Sequence, residues 1–403
     1  MKIGIYLEGS SKMGGGFFQS LKSAQLLLDI DKYKSKIELI TTNNEAKKYF
    51  LNENVKNQLY KPNKLLSYFL QFFEIDLVRD LFNKFKINHT FTNFIRKHNY
   101  DMIIFLGPSM MSKYCKEISF ISNIWDLDHK KNSQFPEHNK DFTFEYKEKL
   151  IKEIIFRAFK IIVAHQSNKN DLLNFYKVSE EKVVVQDFIP MLPTLYLKKA
   201  NRNLEYNQCY LNLNLPLNKK IIFYPAQFWA HKNHKYIIDA AEILKNKNDE
   251  NYFFVFCGGS KGNYKYIKNL ITKKKLDEYI KILMFISDDE IISLYLNSHA
   301  VVMPTYCGPT NLPIYESFFF KKIIFYTKDL IPNDKINERL IEIDISLPSD
   351  FCEKLKLCFD DTRIKEITDD NYEYFKKICS EDKFKDNYKK ILDEFSYLLS
   401  RWK

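Results

Sequence analysis

The chain has 403 residues, 45% of them hydrophobic and 28% charged, an ordinary globular balance that excludes disorder as the main state. With 10 Gly and 12 Pro it is neither collagen-like nor low-complexity, and no uninterrupted apolar run reaches the roughly 18–20 residues of a bilayer span. The formal net charge of +11 points to an anionic partner, but the lysines are spread along the whole chain, so net charge alone carries no function.

At about 150 residues per domain, two domains are expected. Lys2–Leu7 reads as a short apolar strand, followed by Gly14-Gly15-Gly16 and a helix over Phe17–Asp29. Strands are expected at Ile37–Thr41, Asp101–Leu106, Phe120–Trp125, Lys160–Ala164 and Val183–Gln186, with a helix over Ser167–Tyr176. Near-continuous apolar runs separated by helices indicate a parallel sheet buried on both faces. Between them, residues 64–94 carry Leu and Phe at helical spacing among Lys and Arg. That stretch is either a surface for a membrane or a lipid-linked substrate, or a pair of ordinary helices packed on the sheet.

Around residues 189–216 the periodicity fails, and Pro190, Pro193 and Pro216 cluster. We read 1–190 as the first domain, 191–216 as a linker, 217–385 as the second domain, and 386–403 as a terminal helix packing back on the first. The alternation restarts with strands at Lys220–Pro225, Tyr252–Cys257, Ile280–Phe285, Ala300–Pro304 and Ile323–Thr327. Helices are expected at Asn233–Lys245, Asp288–Asn297, Asn311–Phe320 and Asn387–Trp402. The fold class is α/β, with two open sheets and a crevice between them.

Seven scattered cysteines without a CxxC support neither a zinc ribbon nor a redox motif, and no metal site is expected. No helix-turn-helix, RNP or zinc-finger pattern supports a nucleic-acid partner. The first residues have too short an apolar core for a signal peptide, so a cytoplasmic location is expected.

Two segments concentrate chemistry. In Tyr306-Cys307-Gly308-Pro309-Thr310-Asn311-Leu312-Pro313-Ile314-Tyr315-Glu316 a turn after a strand opens a helix. Amides at such an N-terminus attract an anion, which puts Thr310, Asn311 and Leu312 against a diphosphate. Glu316 lies one turn further on, where it either accepts two ribose hydroxyls or complements the helix dipole. In Tyr224-Pro225-Ala226-Gln227-Phe228-Trp229-Ala230-His231-Lys232-Asn233-His234, Lys232 stands at a helix start and can neutralise a phosphate.

Together these segments resemble the nucleotide-sugar half of a GT-B glycosyltransferase of family 4 (glycosyl transferases group 1). The resemblance rests on "YPAQFWAHKNHKYIIDAAEIL", "FISDDEIISLYLNSHAVVMPT" and "GPTNLPIYESFFFKKIIFYT", in that order. It implies a GT-B fold of two Rossmann-like domains, a phosphate-binding role for Lys232, and a ribose-binding role for Glu316, the second glutamate of the family's E-x7-E motif. Gly308 stands where that motif has its first glutamate, and Ala226 and Gln227 stand near the place of a usual phosphate-binding Arg. In the first half, Gly15 and Gly16 match a glycine-rich loop that approaches donor phosphate and acceptor. "NIWDLDHKKNSQFPE" resembles the acceptor-side loop, which implies contacts of Asp126 and His129 with the transferred sugar. Ser167 is expected to cap its helix.

The resemblance implies a nucleotide-sugar donor as co-substrate with no bound cofactor, a glycan or lipid-linked acceptor, retention at the anomeric carbon, and a role in bacterial surface glycans at the inner face of the membrane. Two other classes share the architecture: nucleotide-sugar epimerases and non-catalytic glycan-assembly subunits.

Overall fold

The computed structural model describes residues 1–10, 14–50, 55–61, 75, 77–78, 81, 84–85, 88–199, 202–308, 311–330 and 336–402. The chain divides into two units. Unit 1 comprises Met1–Leu127, Glu145–Asp187 and Glu381–Lys403; unit 2 comprises Asp128–Phe144 and Phe188–Ser380.

Unit 1 is built on strands β1 (Ile3–Leu7), β2 (Ile37–Thr41), β3 (Asn57–Leu59), β4 (Met102–Phe105), β5 (Ser119–Asn123), β6 (Lys160–Val163) and β7 (Val183–Val185). They form one parallel sheet in the order β3-β2-β1-β4-β5-β6-β7. Ile3 pairs with both Ile37 and Met102, and every residue of β1 is buried, which is why its sequence is apolar without alternation. Helix Gly15–Leu28 follows β1. Helix Glu381–Leu399 also belongs to this unit and buries Phe384, Tyr388, Ile391, Leu392 and Phe395. Polar ties lock it down: Lys22 Nζ donates to Glu381 Oε1 at 2.6 Å, and the Tyr33 hydroxyl to Asp393 Oδ1 at 2.5 Å.

Unit 2 carries β8 (Lys220–Pro225), β9 (Tyr252–Cys257), β10 (Ile280–Leu283), β11 (Ala300–Met303), β12 (Ile323–Thr327) and β13 (Ile341–Ile343). Their order is β10-β9-β8-β11-β12-β13, again all parallel. All of β9, β11 and β12 is buried. Helix Asp288–Asn297 starts with a complete capping box, in which Ser287 Oγ accepts the Glu290 N–H and the Glu290 carboxylate accepts the Ser287 N–H.

The eleven expected strands are present. The edge strands β3 and β13 were not foreseen: each has three residues, and polar Asn57 and Gln58 in the one and Glu342 in the other leave no apolar run. Residues 191–216, expected as a linker, hold helices Met191–Lys198 and Arg202–Asn212. Residues 128–144 group with unit 2, although they lie between β5 and β6 in the chain. Ser167 sits inside the first turn of helix Gln166–Tyr176 and does not cap it, because His165 holds the cap position. Much of the amphipathic stretch 64–94 lies outside the described residues. Within it Phe91 is buried, while Leu77, Leu81 and Phe85 are exposed. No helix among the described residues is long and apolar enough to cross a membrane. All seven cysteines are free thiols, six of them buried.

Candidate active site

In unit 2 the strand order reverses between β8 and β11. Loops leaving adjacent strands in opposite directions open a crevice at the carboxyl ends, the usual ligand position in such sheets. The loop after β8 turns through Ala230–Lys232 and ends on Asn233 in the left-handed conformation, φ 53°. Buried Tyr224 anchors it by donating its hydroxyl to the Lys232 carbonyl. The loop is tied to its neighbour after β11, since the His231 carbonyl accepts the Tyr306 N–H at 2.8 Å and the Thr305 hydroxyl at 3.2 Å.

The two loops also meet through side chains. Lys232 Nζ donates to Asn311 Oδ1 at 2.9 Å. Asn311 Nδ2 donates to the Tyr326 hydroxyl at 2.7 Å and to the Gly308 carbonyl. The Tyr326 hydroxyl in turn donates to that carbonyl at 3.0 Å. Lys232, Asn311 and Gly308, separated in the chain, therefore form one network. Gly308 has φ +94°, and a Cβ there would stand 3.2 Å from the Asn311 amide. A glutamate at this position would be strained in its backbone and crowded by Asn311, which accounts physically for the glycine.

Asn311 precedes helix Leu312–Phe319. Pro313 has no N–H, and the Ile314 N–H turns back to the Asn311 carbonyl at 3.0 Å. Leu312 therefore carries the first helical amide that points out of this turn. Thr310 lies outside the described residues.

Glu316 is buried and accepts the Tyr295 hydroxyl at 2.7 Å. Tyr295 is held by Phe320, stacked at 5.2 Å, and by Phe223, edge-on at 5.1 Å. Burial pushes the Glu316 carboxyl up to about 7, against the opposing pull of the Tyr295 bond. Its ionised form is thus disfavoured by about 3 kcal/mol relative to that of an ordinary carboxyl, a penalty that hydroxyl donors from a ligand can offset. A carboxylate with one oxygen on a fixed phenol is suited to accept a vicinal diol.

Residues 128–144 supply a third set of contacts. Glu137 Oε1 accepts the His231 backbone N–H at 2.9 Å and also contacts the His231 ring at Nδ1. Burial acts to raise the Glu137 carboxyl, but these bonds outweigh it and hold it down at about 2. Phe135 packs on Tyr306 at 5.3 Å, and the His138 ring stacks on His231 at 5.9 Å. The charge of Asp128 is felt at Tyr326. His129 is fully buried, its ring 5.5 Å from that of Phe144. Asp126, half-buried, falls in unit 1, so the expected Asp126–His129 pair is divided between the two units.

Unit 1 has its own reversal, between β1 and β4. Gly14, φ 76°, caps the helix in which Gly15 and Gly16 are the first residues. A Cβ on Gly16 would stand 2.8 Å from Trp125 Cη2, and one on Gly107 2.6 Å from Trp125 Cζ2. The glycines are thus required by the indole lying against the backbone after β1 and β4. Sequence reading missed Glu137, His231, Tyr295 and Tyr326. Glu137 in the first turn of a short helix reads as a dipole partner, and nothing local signals a contact 94 residues away.

Residues 212–366 match the family model described as glycosyl transferases group 1. A search of curated proteins finds no match. Among solved structures the chain is similar to a glycosyltransferase from Rickettsia africae ESF-5, with 18% identity, a TM-score of 0.67, and coverage of 97% of this chain and 99% of that chain. It is also similar to Anabaena Alr3699/HepE in complex with UDP-glucose, with 13% identity, a TM-score of 0.70, and coverage of 98% and 100%. A third similar structure is the sucrose-phosphate synthase (tll1590) from Thermosynechococcus elongatus, with 14% identity, a TM-score of 0.70, and coverage of 98% and 100%. At these identities the likeness is one of fold: the chain has the GT-B architecture of two Rossmann-like domains. The segment matched by the glycosyl transferases group 1 model lies within unit 2.

Proposed function

We propose that this protein is a retaining family-4 glycosyltransferase that moves a sugar from a nucleoside diphosphate donor to a glycan or lipid-linked acceptor in bacterial surface glycan synthesis. The observation that carries the reading is the Lys232–Asn311 network at the β8/β11 reversal. It joins a cation to a helix N-terminus in the crevice where such sheets hold ligands. Lys232 and the amides of Thr310, Asn311 and Leu312 bind the diphosphate, and Glu316 accepts the ribose hydroxyls. As the anomeric bond breaks, negative charge grows on the leaving diphosphate, and the same lysine and amide dipoles stabilise it without reorganising. The complex of the Anabaena neighbour with UDP-glucose supports a uridine diphosphate donor.

The acceptor is assigned to unit 1, at the loop of Gly15 and Gly16. Asp126, half-exposed beside Trp125, takes the sugar-facing role ahead of His129, whose ring is buried. Exposed Leu77, Leu81 and Phe85 support a peripheral membrane contact for a lipid-linked acceptor.

The test is calorimetry with UDP, GDP, ADP and CMP and their common sugars. We expect one nucleotide to be preferred and its affinity to fall in both Lys232→Ala and Glu316→Ala. Binding that neither substitution alters would remove the donor-site assignment.

A further inference from the structure

We infer that residues 128–144 hold the donor-phosphate loops of unit 2 in binding geometry, with Glu137 as the positioning residue that fixes Lys232 through His231. The inference rests on the donor-site reading above. His231 is the node of this arrangement. On one side its backbone N–H and ring both meet the Glu137 carboxylate. On the other its carbonyl accepts two donors from the loop after β11, the Tyr306 N–H and the Thr305 hydroxyl. Lys232 is the next residue, with its carbonyl held by Tyr224 and its ammonium by Asn311.

The two bonds to Glu137 constrain different parts of His231. The backbone bond restricts the peptide plane that carries the carbonyl toward the β11 loop, and the ring contact restricts the side-chain torsions. A carboxylate that makes both is a stronger and more directional acceptor than a neutral amide. Phe135 adds an apolar contact on Tyr306, so the segment touches both loops. Placing an anion near a phosphate site opposes ligand binding electrostatically. Its use here is consistent with a need to hold the loop before the ligand arrives, which lowers the ordering cost of binding.

The experiment measures affinity for UDP, GDP, ADP and CDP, and for inorganic pyrophosphate, in the full chain and in Glu137→Gln, Glu137→Asp, Lys232→Ala and Glu137→Gln/Lys232→Ala. Glu137→Gln should weaken the preferred nucleoside diphosphate and pyrophosphate alike by about tenfold, the scale of one charge-assisted hydrogen bond. Glu137→Asp should recover part of the loss. In the Lys232→Ala background Glu137→Gln should add little, because both substitutions act on the same contact. Amide exchange at His231 and Tyr306 should quicken in Glu137→Gln, a readout independent of any ligand. Wild-type binding with unchanged affinity in Glu137→Gln, or full additivity with Lys232→Ala, overturns the positioning role alone. Failure of the wild type to bind any of the four nucleotides overturns the donor-site reading on which it stands.

Discussion

In unit 1 the sheet reverses between β1 and β4, and in unit 2 between β8 and β11, and the loops at the two reversals carry charge of opposite sign: a carboxylate, Glu8, at the first and an ammonium, Lys232, at the second. In unit 2 the crevice is lined by cross-bonded polar groups: Lys232, Asn311, Tyr326 and the carbonyl of Gly308. In unit 1 the loops after β1 and β4 are joined by the Ser109 hydroxyl, which donates to Glu8 Oε2 at 2.8 Å, and glycine backbone there is pressed on the indole of Trp125. A lysine beside a helix N-terminus suits an anion, and a carboxylate held by a hydroxyl does not. The same topology thus carries different electrostatics at its two reversals, and side chains at the strand ends make the difference.

The largest expected effect tests the polar reversal through pH. Glu316 is raised from 4.5 to about 7 in the folded protein, so the folded state binds its proton more tightly than the unfolded one. Its contribution is fully present below about pH 4.5 and is lost as pH rises through 7, a change of about 3 kcal/mol. Thermal unfolding of wild type and Glu316→Gln from pH 5 to 8 should show that slope only in the wild type. Glu137, held down at about 2, works in the opposite sense: its contribution is present above its ordinary carboxyl value and is lost on acidification. A wild-type curve parallel to that of Glu316→Gln would show that Glu316 does not titrate as the buried site requires.

The next contrast breaks each reversal separately. Lys232→Met should cost about 2 kcal/mol of nucleoside diphosphate affinity and leave the melting temperature near that of wild type. Gly107→Val crowds Trp125 and should cost about 1–3 kcal/mol of stability while leaving nucleotide affinity intact. If Gly107→Val weakens nucleotide binding as much as Lys232→Met, the division of labour between the two reversals is wrong. Gly308→Ala follows. An alanine at φ +94°, 3.2 Å from the Asn311 amide, should cost about 1–2 kcal/mol of stability and loosen Lys232 with it. Denaturant unfolding midpoints would measure this, and an unchanged midpoint would mean that the loop accommodates a side chain. The smallest effect lies at the end of β10, where Phe285 is 75% exposed at φ 57°. Phe285→Gly relieves that conformation and should raise stability by about 1 kcal/mol; a lower melting temperature would show that the ring makes a stabilising contact.

Much of the sheet architecture is legible in the sequence. The runs at Ile3–Leu7, Tyr252–Cys257 and Ala300–Met303 are apolar without alternation because both faces of their sheets are covered. Strands such as Asn57–Leu59 and Ile341–Ile343 were illegible, because Asn57, Gln58 and Glu342 break the apolar run, whereas the equally short Val183–Val185 is all valine. The helices Met191–Lys198 and Arg202–Asn212 were hidden by Pro190 and Pro193 at the start of the first, where proline is tolerated but reads as a break.

The α/β class, the strand–loop–helix setting of Lys232 and Glu316, and the turn that opens the helix at Leu312 follow from the order of residues alone. These depend on local periodicity and on groups a few residues apart. The bonds of Asn311 with Tyr326 across 15 residues, of Glu316 with Tyr295 across 21, and of Glu137 with His231 across 94 exist only in the folded chain. The grouping of residues 128–144 with unit 2 belongs to the same class. The physical reason is that such partners are chosen by strand order. A parallel sheet sets side by side the ends of strands that the chain visits far apart, and no local pattern records which ends become neighbours.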